Sequence, residues 1–231
     1  MKKGRCLRLE NGKRLKDILT FLEREYPCAK TALDHGSPFQ MLVATILSAQ
    51  TTDARVNMVT PGLFNKFPTA ADMSHAGIEE IEREIRSVNF YRNKARNIRK
   101  LSGILVEKWS GKVPGSMAEL VSLPGVARKT ANVVMGEAFG KSEGIVVDTH
   151  VKRLAWRLGL TKNTLPEKVE ADLMECIPRN RWISFSMQLI LHGRKVCNAR
   201  KPLCEICGLA GCCPYAAEIR RDKNKNEKDQ P

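Results

Sequence analysis

Apolar residues recur three and four positions apart along most of this chain, the period of helices packed on one face. Leu15, Ile18, Leu19 and Leu22 predict an amphipathic helix to about Tyr26. Ser37 before Pro38 reads as a side-chain cap followed by a residue suited to the first helical position. The segment after it, FQMLVATILSAQ, is apolar on nearly every side and predicts a helix through the middle of a domain. That run stops abruptly at Ser48-Ala49-Gln50-Thr51-Thr52-Asp53, with Asp53 placed to cap the next helix. Helices are expected at 53–66, 69–76 and 78–87, with Thr69 and Asp72 as a cap pair, and from about Tyr91 to Trp109. Val113-Pro114-Gly115 is a turn, and Ser116 with Glu119 forms a capping box for a helix ending near Leu123. Pro124 and Gly125 turn the chain, and another helix starts at once. Further helices fall at about 149–159, 166–176 and 179–195. The strand-like run Gly144 to Val147 is too short to found a sheet, so the fold class is all-α with about ten helices. A basic arm, 1–13, and a polar end, 216–231, read as flexible tails; RRDKNKNEKDQP after Ile219 has no apolar residue.

Composition narrows the partners. Of 231 residues, 39 are basic and 25 acidic, a formal charge of +14 that points to nucleic acid or an anionic surface. The run YRNKARNIRK carries five of the basic residues and no acid. No apolar stretch approaches the roughly 20 residues that cross a bilayer. The basic start lacks the apolar core of a signal peptide. The expectation is an intracellular protein without membrane contact, in the cytoplasm or nucleoid if its source is prokaryotic. Eight cysteines in such a setting argue for metal rather than disulfides.

The densest chemistry lies in 121–151. Gly125 permits a tight turn, and the first amides of the following helix point outward beside the positive end of its dipole, a geometry that binds an anion. Lys129 sits in that first turn, where the dipole favours the free, nucleophilic amine. Asp148 follows the β-branched run Ile145, Val146, Val147 and opens another helix. Taken alone, Lys129 reads equally as a phosphate contact and Asp148 as a helix cap.

Cys197, Cys204, Cys207 and Cys213 follow the spacing Cys-x6-Cys-x2-Cys-x5-Cys. Four thiolates in so short a loop can converge on one metal centre at little entropic cost. Zinc and iron–sulfur centres both accept four thiolates, though the lack of a second Cys-x-x-Cys weighs against the commonest zinc arrangement. Cys212 is an extra beside Cys213, and the spacing favours Cys213. Cys6, Cys28 and Cys176 are scattered. The loop also carries Arg194, Lys195, Arg200 and Lys201, a basic knob suited to phosphate.

Three stretches resemble, in order and spacing, the endonuclease III family of helix–hairpin–helix DNA glycosylases. The first is Leu47-Ser48-Ala49-Gln50. The second is the hairpin Leu123-Pro124-Gly125-Val126 with Arg128-Lys129-Thr130-Ala131-Asn132-Val133-Val134, followed by Val147-Asp148-Thr149-His150-Val151. The third is the cysteine loop. The resemblance spans about residues 14 to 215. It implies that Lys129 is the nucleophile and Asp148 its essential partner, that Gln50 fills the gap left by an extruded nucleotide, and that Phe90 is an apolar wedge. It further implies DNA contact at Leu123, Gly125, Val126, Ala127 and Arg128, with Ala127 standing where the family usually has a second glycine. The four cysteines would hold a [4Fe–4S] cluster. Two helical lobes would flank a DNA groove: a bundle, 27–141, with the hairpin, and a cluster lobe, 14–26 plus 142–215. The implied activity is that of a monomeric bifunctional enzyme acting on double-stranded DNA with damaged bases or abasic sites. It removes oxidised pyrimidines and cleaves the abasic site by β-elimination. A non-enzymatic helix–hairpin–helix module would need no Lys129, and mismatch-directed glycosylases on this scaffold lack that lysine.

Overall fold

The computed structural model describes residues 10–228, and every regular element among them is helical. In chain order these are α1 (Glu10–Glu25), α2 (Pro38–Ser48), α3 (Asp53–Lys66), α4 (Ala70–His75), α5 (Ile78–Glu84), α6 (Tyr91–Trp109), α7 (Met117–Val121), α8 (Arg128–Phe139), α9 (Thr149–Arg157), α10 (Pro166–Cys176), α11 (Trp182–Lys195) and α12 (Pro214–Lys228). A 3₁₀ turn, Arg179–Arg181, leads into α11. Residues 1–9 of the basic arm, Cys6 among them, and 229–231 lie outside the described residues.

The chain divides into two compact units, Thr31–Glu143 and the remainder on either side of it. The first is built around α2. Met41, Leu42, Val43, Ala44 and Leu47 are all fully buried, as an all-round apolar helix requires. Ser37 Oγ accepts from Gln40 N at 3.2 Å, and Pro38 takes the first turn. Helix α2 packs on α8, α3 and α6, and α4 packs on α6. Thr69 and Asp72 cap each other reciprocally. The cap of α3 is Thr52 rather than Asp53: the extended backbone at 52 turns its hydroxyl to Arg55 N at 3.3 Å, leaving Asp53 as the first helical residue.

In the second unit Ile18, Leu22, Leu154, Phe185 and Leu189 form the core. Helix α11 approaches α9 closely at Gly193, where a Cβ would lie 2.9 Å from His150 Nδ1 and 3.0 Å from Arg153 Nη2. Tyr26 Oη and His192 Nδ1, 3.0 Å apart, tie the end of α1 to α11. The polar end of the chain is not a tail from 216 onward, because α12 runs to Lys228. Pro214 starts that helix, Ala216 is buried, and Tyr215 stacks on Arg157 with 4.5 Å from guanidinium carbon to ring centre. With its start anchored, the helix extends at the gain of one backbone bond for each residue fixed.

Candidate functional site

Helices α7 and α8 form a hairpin. Ser116 Oγ donates to Glu119 Oε2 at 2.5 Å and accepts from Glu119 N at 3.4 Å, fixing the start of α7. Val126 N donates to Leu123 O at 3.1 Å across the turn. Gly125 has φ +78°, and a Cβ there would lie 3.0 Å from Asn97 Nδ2, so both the backbone and the neighbour call for glycine. Leu123 and Val126 are buried in the bundle core. Their side chains anchor the turn, which leaves only their backbone to face a partner. Gly125, Ala127, Arg128 and Lys129 are exposed. Ala127 holds the cap position of α8 and makes no side-chain cap, so the first-turn amides face outward beside the positive end of the dipole. Such an end accepts a phosphate. Lys129 is the second residue of α8, on the surface.

Asp148 belongs to the other unit and caps α9, its Oδ1 accepting from Val151 N at 2.7 Å. Its charge acts on two neighbours, His150 and Arg153, that sequence reasoning gave no role. Burial lowers the His150 pKa, and Asp148 pulls it back. Arg153 Nη2 donates to Gly193 O at 3.1 Å and Cys197 O at 3.0 Å and meets His150 Nδ1 at 3.2 Å. Arg153 thus ties the helix that Asp148 opens to the cysteine loop. The one signal available in the sequence was the pair Arg153 and Arg157, one helical turn apart.

Cys197, Cys204, Cys207 and Cys213 line one cavity with Leu154, Leu158 and Val196, and Cys212 does not. Cys212 Sγ instead donates to Leu209 O at 3.4 Å. Among the described residues no three potential ligands stand close enough for a single metal ion. Four thiols around one cavity are the donor set of a centre of several atoms. Arg157 Nη1 reaches Cys197 Sγ at 3.2 Å, and His192 Nε2 lies 3.4 Å from Cys207 Sγ. Burial pushes the Cys207 thiol up to about 11, and the neighbouring sulfurs of Cys197, Cys213 and Cys204 act the same way. A cationic centre among these sulfurs would stabilise their thiolate forms. Arg194, Lys195, Arg200 and Lys201 are exposed around the loop, while Cys28 is exposed and Cys176 half-buried elsewhere.

Gln50 and Phe90 are both exposed, and both adopt left-handed backbone, with φ +56° and +59°. Phe90 is 61% exposed, so this aromatic is not core. The two segments meet where Asn89 Nδ2 donates to Gln50 O at 2.5 Å. Lys94, counted in the sequence among the basic run, is buried and turned inward.

Residues 43–179 match the family profile described as HhH-GPD superfamily base excision DNA repair protein. The chain is similar to endonuclease III of Synechocystis sp., with 55% identity over 88% of this chain and 93% of that protein. Endonuclease III of Escherichia coli K12 is 41% identical over 91% of this chain and 99% of its own length. The solved structure of a non-covalent endonuclease III–DNA complex matches with a TM-score of 0.85 at 43% identity, covering 90% of this chain and 98% of that one. A thermostable thymine-DNA glycosylase, 23% identical with a TM-score of 0.78, shares the fold. The chain belongs to the endonuclease III family within the HhH-GPD superfamily. No helix among the described residues is long and apolar enough to cross a membrane.

Proposed function

We propose that this protein is a bifunctional glycosylase of base-excision repair, which removes oxidised pyrimidines from double-stranded DNA and cleaves the abasic site. The observation that carries this reading is Lys129, an exposed primary amine in the first turn of α8 beside an anion-accepting turn. To reach its sugar the target nucleotide must leave the stack. Lys129 Nζ, as the free amine, attacks C1′. The glycosidic bond breaks, and the base leaves with its electron pair and takes up a proton. The ring then opens at O4′, which gains a proton, as nitrogen and C1′ form an imine. The protonated imine acidifies C2′. Loss of a C2′ proton expels the 3′ phosphate by cleavage of the C3′–O bond, and water later releases the amine. Asp148 would stabilise the cationic sugar and help the amine shed its proton. Gln50 would fill the vacated stack, with Phe90 as the wedge. The backbone of Leu123, Gly125, Val126 and Ala127, with the charge of Arg128, would hold the phosphate.

Cys197, Cys204, Cys207 and Cys213 would hold a [4Fe–4S] cluster, which supplies metal–sulfur cross-links that fix the basic loop. Purified protein should be yellow-brown with about four irons per chain. Stoichiometric zinc with no visible absorption would contradict that ligation.

The protein would work as a monomer inside the cell. Its charge of +14 predicts largely electrostatic affinity. Binding to undamaged duplex should weaken linearly on a log–log salt plot, with a slope set by the phosphates neutralised. A salt-independent constant would contradict this. The activity itself is tested on duplexes that each carry one oxidised pyrimidine. Base release with strand scission is expected; tight binding without either would favour a non-enzymatic module.

A further inference from the structure

Lys94 is 6% exposed, although its neighbours in α6 supply surface charge. Its ammonium donates to Leu47 O at 2.8 Å, Ala49 O at 2.6 Å and Thr51 Oγ1 at 3.2 Å, which uses all three N–H bonds. Those carbonyls lie at the C-terminal end of α2, where the dipole favours a cation. Burial pulls the Lys94 pKa down to about 8, so the charge is held at some cost. A glycine would end a helix more simply. The segment so gripped leads straight into Gln50 and its left-handed backbone.

A second tie starts from the same hydroxyl. Thr51 Oγ1 also accepts from Asn89 N at 3.3 Å, while Asn89 Nδ2 holds Gln50 O. Asn89 is followed by Phe90, again left-handed. Among the described residues only Gln50, Phe90 and Ser110 are non-glycine residues with positive φ, and two of the three are fastened together here. Backbone of this kind persists where its surroundings over-determine it, and it collects at functional sites.

We propose that Lys94 is a positioning residue which, with Asn89, preforms Gln50 and Phe90 as one rigid element for entering the duplex when a nucleotide is extruded. The proposal rests on the function proposed above and deepens it: extrusion depends on a buried ammonium that itself touches no DNA. Holding both residues in place beforehand removes the cost of ordering them on binding.

Lys94→Met removes the donors and keeps most of the stem. Asn89→Ala removes the Nδ2 bond to Gln50 O at an exposed position and leaves the backbone N–H bond to Thr51 Oγ1, so folding is not at stake. Hydrogen exchange of the amides at 48–52 and 87–92 reads the clamp without DNA. The rate of excision from a fully paired lesion, relative to cleavage at a preformed abasic site, reads its use, because the abasic site needs less unstacking. Both variants should speed exchange in both segments; Lys94→Met should lower that ratio about tenfold, the scale of a lost charge-assisted hydrogen bond, and Asn89→Ala about fivefold, the scale of a neutral one. Gln50→Ala should lower the same ratio without speeding exchange at 87–92. Unchanged exchange in Asn89→Ala would overturn the clamp even if Lys94→Met failed to fold. Faster exchange with an unchanged ratio would overturn the role in extrusion. A wild type that cuts neither substrate would sink the proposed function and the extrusion role with it, and exchange would separate that failure from a failed clamp.

Discussion

Lys129→Gln should abolish strand cleavage while damaged duplex still binds. Glutamine keeps much of the stem and can hydrogen-bond, but it has no amine to attack a sugar carbon. Lys129 is exposed in the first turn of α8, so the change should alter stability by no more than about 0.5 kcal/mol. Binding should weaken by no more than the loss of one charge, with the salt slope falling by at most about one. A lysine that served only as a phosphate contact would behave differently, because weaker binding and weaker cleavage would then fall together and vanish at saturating DNA. Separate measurement of affinity and single-turnover cleavage decides between the two.

Asp148→Asn should slow the chemical step by about 100-fold or more, the scale of electrostatic contacts that act on a charged transition state. The substitution is close to isosteric, and asparagine caps a helix as well as aspartate does. The bond to Val151 N at 2.7 Å can therefore survive, and the melting temperature should barely move. If Asp148 were a cap and nothing more, rates would stay near normal. A large loss of rate in a protein of unchanged stability separates the carboxylate's charge from its structural service.

Much of the fold is legible in the sequence because its signals are local. Ser37 with Pro38, Thr69 with Asp72, and Ser116 with Glu119 each mark a helix start within four residues, and each makes its cap. Thr52 and Asp53 are both good caps, and only the backbone at 52 selects the threonine. Helix α12 escapes the sequence because what fixes it is distant along the chain: Tyr215 rests on Arg157. Lys94 is illegible for the same reason. A lysine in a basic run has one sequence signature whether it faces water or closes a helix end more than forty residues away. Leu123 and Val126 carry the wording of the hairpin, yet an apolar residue beside a turn is drawn into the core. Spacing alone favours Cys213 over Cys212, and Cys213 is the one that lines the cavity.

The central claim is a covalent bond between Lys129 and the sugar. Borohydride reduction during turnover on a duplex with one oxidised pyrimidine should trap a stable protein–DNA product. Digestion and mass spectrometry of that product should find the sugar remnant on Lys129. A remnant on another amine, or free base released with nothing trapped, would contradict the account.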